Sequence, residues 1–241
     1  MSFPRTCVVY PLAHWAYGPA ARAVKAAVLA LAAVVLLAAA PARAEAVRVT
    51  AFGDSLSAGY NLPHDAAFPN QLQAALAERG LNVAVSNAGV SGDTTAGGLA
   101  RLDWMLAESP DVVPDVVIVE LGANDALRGI APAQVEKNLD AILTRLKAEG
   151  VSVVLAGMLA PPNMGKDYGA AFNALYPRLA ERHGVAFYPF FLDGVAARAD
   201  LLQRDGMHPT AEGVAEIVRR ILPTVAAAVE ARGHPSGSAT R

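Results

Sequence analysis

One cysteine, Cys7, is all that the 241 residues contain, and it stands in an N-terminal segment unlike the rest of the chain. A thiolate zinc site, a cysteine nucleophile and a disulfide are therefore all excluded from residue 45 onward. A chain of about 200 residues buries enough surface to fold without such staples. Lysine and arginine form no cluster and the formal net charge is −2, so there is no electrostatic footprint for nucleic acid. Neither a Gly-x-Gly-x-x-Gly nor a Gly-x-x-x-x-Gly-Lys pattern occurs to cradle a nucleotide phosphate. Internal repeats are missing too. What is abundant is apolar side chain, 54% of residues, ample for the core of one α/β domain.

The first 44 residues read as a leader. Arg5, Arg22 and Lys25 precede an apolar run from Ala26 to Ala40, and Pro41-Ala42-Arg43-Ala44 follows. A positive region, an apolar stretch and a small-x-small end form a secretory signal peptide, with cleavage expected after Ala44. The run is short for a membrane span, so no stable membrane insertion is expected once it is removed; an uncleaved anchor is the alternative. The region ahead of the apolar run is long for a leader, and initiation downstream of Met1, at Val24, would shorten it. Arg5, Arg22, Lys25 and Arg43 leave with the segment and no acid does, which takes the net charge from −2 to −6. The mature domain is then residues 45–232, an exported, periplasmic or secreted monomer. Residues 233–241 are Gly/Ser-rich without apolar content and read as a disordered tail.

Strand and helix patterns alternate five times through that domain. Val47–Phe52, Leu81–Ser86, Asp115–Leu121, Val151–Gly157 and Val185–Pro189 read as strands. The third and fourth are almost continuously apolar, as strands covered on both faces must be. Helices are expected from Pro69 to about Arg79, from Thr95, from Pro132 with Val135, Leu139, Ile142 and Leu146 as its stripe, around Phe172–Leu179, and from Thr210. Asp111–Pro114 is a turn, and Phe190–Met207 is irregular. This alternation predicts a parallel sheet between two helical layers, with ligands at the C-terminal strand ends.

Four chemically suggestive stretches fall at that edge. The first strand stops at Gly53-Asp54-Ser55-Leu56-Ser57, which presents a serine where the chain turns into a helix; alone, the tripeptide is equally a polar turn. Asp205-Gly206-Met207-His208-Pro209 supplies what a serine needs to act as a nucleophile, a histidine base with a carboxylate three residues before it. The other histidines compete poorly. His14 leaves with the leader, His64 has only Asp65 near it, His183 reads as a helix C-terminal cap before Gly184, and His234 lies in the tail. Acyl transfer also needs donors for an oxyanion. The Ser55 N–H at a helix start, Gly89 after the second strand and the Asn124 amide after the third are the candidates. Turn or cap roles are the ordinary alternative for both Gly89 and Asn124.

Taken together, Gly53-Asp54-Ser55-Leu56-Ser57, Gly89, Gly122-Ala123-Asn124-Asp125 and Asp205-Gly206-Met207-His208-Pro209 resemble the four blocks of the SGNH (GDSL) hydrolases. The likeness runs from Val47 to about Leu222. It is nearest the exported bacterial arylesterase and multifunctional acyl-CoA thioesterase I–lysophospholipase L1 group, through Ser91-Gly92-Asp93-Thr94, Val119 to Gly129 and Phe172 to Pro177. The resemblance implies a triad of Ser55, Asp205 and His208, and an oxyanion hole from Ser55, Gly89 and Asn124. It further implies a flavodoxin-like three-layer α/β/α sandwich on a five-stranded parallel sheet, with no metal or cofactor. Ser57 stands where the elbow of α/β-hydrolases has its second glycine, which argues against that fold. The expected substrate is an acyl ester or thioester with an apolar tail, its pocket lined by Leu56, Ala160, Pro161, Pro162, Met164 and Met207. A carbohydrate acetyl-esterase using the same machinery and a non-enzymatic flavodoxin-like binding module are the rival readings.

Overall fold

The computed structural model describes residues 45–107 and 113–233, together with Ala23. The chain divides into two units, Met1–Ala44 and Glu45–Arg241, and the fold is that of the second. The leader apart from Ala23, the first half of the Asp111–Pro114 turn and the tail beyond Gly233 lie outside the described residues. Gly233 itself closes the last helix rather than opening the tail.

Five strands, β1 (Val47–Gly53), β2 (Val83–Asn87), β3 (Val116–Glu120), β4 (Ser152–Ala156) and β5 (Ala186–Tyr188), form one sheet in the order β2-β1-β3-β4-β5. Every neighbouring pair is parallel. The five expected strands are thus all present, each with its ends within two residues of the expectation. In β3 all five residues are buried, because helices cover the sheet on both faces. Those helices are α1 (Ser55–Ala58), α2 (Phe68–Glu78), α3 (Thr95–Ala107), α4 (Ala123–Leu127), α5 (Pro132–Ala148), α6 (Lys166–His183) and α7 (Ala211–Gly233). The connection from β1 to β2 runs one way along the sheet and those from β3 through β5 run the other. Right-handed crossovers therefore put their helices on opposite faces. Accordingly α2 packs with α7, while α5 packs with α3 and α6.

The stripe read in α5 is the buried one: Val135, Leu139, Ile142 and Leu146 are all fully inside. Its outer face exchanges charge with α6, where Arg178 and Arg182 reach Glu136, and Arg182 and His183 reach Asp140. This corrects the reading of His183. The αL residue Gly184 ends α6, and the His183 ring instead ties two helices together through Asp140 at 2.8 Å.

The order 2-1-3-4-5 reverses direction between β1 and β3, and a crevice opens there beyond the strand ends. Ser55 follows β1 and Asn124 follows β3, so the topology sets both at that crevice. Gly53 and Glu120 are register partners across the two strands. A Cβ on Gly53 would lie 2.2 Å from Ser57 Oγ and 2.5 Å from Glu120 Oε2. Only glycine lets the chain turn from β1 into α1 so close to a neighbouring side chain.

Candidate active site

Ser55 is the first residue of α1. Asp54 caps that helix, its Oδ1 accepting the Leu56 N–H at 3.0 Å, which leaves the Ser55 N–H among the unpaired first-turn amides. Ser55 Oγ lies 2.9 Å from His208 Nε2. On the other side of the ring, His208 Nδ1 lies 2.7 Å from Asp205 Oδ2. With Nδ1 donating to the carboxylate, Nε2 is left as the acceptor for the serine hydroxyl, the tautomer a general base needs.

The histidine is held by more than its acid. Asp205 Oδ1 accepts the N–H groups of Met207 and His208 at 2.9 and 3.0 Å. Those two main-chain donors, first that of His208, and then the His208 ring bring the Asp205 carboxyl down to about 2. Gln203 closes the turn from below. Its N–H donates to the His208 carbonyl, and its Nε2 spans the carbonyls of Tyr60 and Pro209, each at 2.9 Å. Tyr60, just after α1, lays its ring 4.5 Å from the imidazole. The serine and histidine segments are thus tied to each other beyond the Ser–His contact itself.

Asn124 occupies the second position of α4. Gly122 before it has φ +120°, and a Cβ there would lie 2.1 Å from Tyr176 Oη. The Asn124 Nδ2 donates to Asp54 Oδ2 and to the Asp93 carbonyl, both at 2.9 Å. Asp125 takes a different part: buried, it accepts from the N–H and hydroxyl of Thr95 and starts α3.

Gly89 is not brought to the site. Its N–H is given to Asn87 Oδ1 at 2.9 Å, and a Cβ on it would lie 2.4 Å from the Ala58 nitrogen. It is the close-packed glycine behind α1, not an oxyanion donor. The glycine of that loop beside Asn124 is Gly92, at φ +81°. It adjoins Asp93, whose carbonyl Asn124 holds, and its own carbonyl takes Arg128 at 2.8 Å.

A cavity of about 510 Å³ opens in front of Ser55 and His208. Leu56, Ala160, Pro161, Pro162 and Met207 line it as expected, joined by Leu127, Met158 and Leu159. Met164 does not. It ends the 3₁₀ turn Pro162–Met164 and points its methyl toward Gly129 instead. The far wall comes from the irregular segment, through Phe190, Leu192, Ala196, Ala197 and Leu202. His64 is outside as well, its Nδ1 3.3 Å from the Asn70 side-chain amide.

Behind the serine lies a buried acid pair. Glu120 Oε2 accepts from Ser57 Oγ at 2.9 Å and from the Asp54 N–H at 3.3 Å. Complete burial, with Asp54 next to it, lifts the Glu120 carboxyl well above the usual range. Burial likewise pushes Asp54 up from 3.8 to about 6, against the opposing pull of the Leu56 N–H and the Asn124 amide. An acid with a higher pKa folded than unfolded costs stability. The unfolded chain gives up this proton near pH 4 and the folded chain near pH 6, so the contribution of Asp54 to stability falls as pH rises between the two. Asp54→Asn should abolish that fall. Denaturant titrations at pH 4 and pH 7 should show the variant gaining on wild type over the interval. A difference that stays constant with pH would contradict this.

A serine–histidine–aspartate relay at the switch point of a parallel sheet, beside an apolar cavity, defines a serine hydrolase. Comparison with known proteins gives the family. The model of the GDSL-like Lipase/Acylhydrolase family matches residues 51–215, and the chain belongs to that family. An arylesterase of Vibrio mimicus is 42% identical over 178 residues, 73% of this chain and 88% of that protein. Thioesterase 1/protease 1/lysophospholipase L1 of Escherichia coli (strain K12) is 42% identical over 157 residues, 65% of this chain and 73% of that protein. The solved structure of AlinE4, an SGNH-hydrolase family esterase, superposes with a TM-score of 0.65 at 48% identity, covering 76% of this chain and 97% of that one.

Proposed function

We propose that the protein hydrolyses carboxylic esters and thioesters of apolar acyl groups through an acyl-enzyme on Ser55. His208 takes the hydroxyl proton as Ser55 Oγ attacks the carbonyl carbon, and returns it to the departing alcohol or thiol. Water, activated by the same ring, then releases the acid and regenerates the serine. Asp205 keeps the ring in its working tautomer. The carbonyl oxygen, negative in the tetrahedral intermediate, meets the Ser55 N–H, the Gly92 N–H and the Asn124 amide, which turns one hydrogen from Asp54 Oδ2 to the substrate while the other stays on the Asp93 carbonyl. The observation that carries this reading is the unbroken chain of 2.7 and 2.9 Å contacts from Asp205 through His208 to Ser55. A fluorophosphonate probe tests it: the adduct is expected on Ser55, and a protein that stays unlabelled would defeat the reading.

The cavity's 510 Å³ and its apolar walls favour a substantial acyl tail over an acetyl group, since that volume falls in the range of sites for whole drug-sized ligands. Rates on short and long p-nitrophenyl esters separate this from an acetyl-esterase. Removing one oxyanion donor typically costs 10²–10³ in rate, so Asn124→Ala should slow turnover by about that factor while KM changes little. Full activity in that variant would refute its role.

Export of the mature chain as a monomer is part of the same proposal. The charged and apolar pattern of residues 1–44 supports the export, and the boundary between the two units falls at Ala44/Glu45. Among the described residues no helix is long and apolar enough to cross a membrane. N-terminal sequencing of the exported protein should begin near Glu45; any other start would refute the cleavage site.

A further inference from the structure

We infer that Arg101, on α3, is a positioning residue that sets the oxyanion side of the site. Its one guanidinium holds three acceptors on two pieces of chain, the end of β1 and the loop after β2. Nε donates to Asp93 Oδ2 at 2.7 Å, one terminal nitrogen to the Ala88 carbonyl at 2.9 Å, and the other to the Gly53 carbonyl at 3.0 Å. Its central carbon lies 4.2 Å from the centroid of the Phe52 ring. The Arg101 and Asp93 side chains are only 19% and 11% exposed.

A buried ion pair that merely fastened α3 to the sheet would be weak evidence of anything, because desolvation offsets most of its attraction. What distinguishes Arg101 is where its acceptors lie. Gly53 is the residue before Asp54-Ser55, so its carbonyl marks the point from which the nucleophile's turn departs. The same oxygen accepts the Val90 N–H at 3.0 Å, which joins the end of β1 to the loop after β2. Asp93 binds Arg101 through its side chain and Asn124 through its main-chain carbonyl. Arg101 therefore fixes the distance between the strand end that bears Ser55 and the loop that anchors the Asn124 amide and carries Gly92. It does so from behind, since it does not line the cavity. The surrounding residues are fitted to this arrangement. Asp93 Oδ1 takes the Thr94 N–H at 3.1 Å, and a Cβ on Gly97 would fall 1.9 Å from that oxygen. Lysine cannot replace the guanidinium, because a single ammonium cannot hold three diverging acceptors in one plane.

The inference rests on the proposed oxyanion role of Asn124, and the test separates the two. Arg101→Ala, Asn124→Ala and the double variant are assayed on a p-nitrophenyl ester with the mature protein, their folding checked by circular dichroism. Misplacing a catalytic group by about 1 Å can cost about 10²-fold. Arg101→Ala should therefore lose between about tenfold and 10²-fold in kcat with KM nearly unchanged, and guanidinium ion at tens of millimolar should restore part of the rate. The double variant should be little slower than Asn124→Ala alone, since residues acting through one another do not add. Fully additive losses would overturn the inference, and so would a wild-type kcat in Arg101→Ala beside a slow Asn124→Ala. Full activity in Asn124→Ala would instead overturn the oxyanion reading itself. Should Arg101→Ala fail to fold, Arg101→Lys and Asp93→Asn carry the test: a reduced kcat at unchanged KM supports the positioning role, and wild-type kcat in both refutes it.

Discussion

Replacing Ser55 by alanine should lower turnover by about 10⁶-fold, the scale of losing a triad nucleophile, and leave the protein folded. The two halves of that expectation have separate causes. Without Oγ no acyl-enzyme forms, and the neutral His208 ring has nothing to activate but bulk water. The fold should survive because the Ser55 side chain is only half-buried at the cavity edge and its hydroxyl bonds to a single partner, His208. Two residues on, Ser57 is a useful control. It is fully buried and donates to Glu120, so its loss removes the shorter of two hydrogen bonds to a buried acceptor and should act on stability rather than on chemistry. Measuring kcat, probe labelling and thermal melting on Ser55→Ala decides the matter. A variant that kept more than about one part in 10³ of the rate would exclude Ser55 as the nucleophile, because the oxyanion hole and binding alone leave catalysis of about 10³–10⁴ over water.

Asp205→Asn should be the next most severe, at about 10⁴-fold, and it should be severe without being disruptive. Asp205 makes three acceptor contacts, two to main-chain N–H groups and one to the imidazole. An asparagine can keep its oxygen on the main-chain donors, so the turn persists. Its amide then faces His208 Nδ1 as a donor. That stabilises the tautomer with hydrogen on Nε2, which cannot accept the Ser55 proton. In the wild type the carboxyl is held down at about 2, below its unfolded value. Its contribution to stability is therefore complete above about pH 4 and is lost only as pH falls toward 2. Protonation of Asp205 consequently plays no part in the activity profile above pH 4. A comparison of kcat and melting temperature for Asp205→Asn checks both halves; a rate loss of tenfold or less would show that the acid does not set the tautomer.

Much of this molecule is written locally. The two central strands β3 and β4 were readable because burial on both faces demands apolar runs such as Val116-Val-Ile-Val119, and α5 because its stripe repeats at helical spacing. Ser55, His208 and Asp205 were readable because nucleophile, base and acid are chemically distinctive and fall where the alternating pattern turns. Gly89 and Gly92 were not separable in that way. Both are glycines of one loop, and only the direction of an N–H, which the backbone of the whole loop decides, shows that Gly89 faces Asn87 and packs behind α1. Met164 failed for a similar reason: it lies two residues beyond Pro162 in the expected loop, but the 3₁₀ turn carries its side chain toward Gly129.

By itself the sequence determined the class of fold, the parallel order of alternation and the candidates for the reacting groups, because hydrophobic period and side-chain chemistry are properties of short segments. Tertiary structure alone decided which segments became neighbours. It placed Glu120 under Gly53 across the β1–β3 register, gave Arg101 three acceptors from the end of β1 and the loop after β2, and built the far cavity wall from residues 190–202. Those segments carry no periodic signal, and their positions depend on how five strand ends pack at one edge.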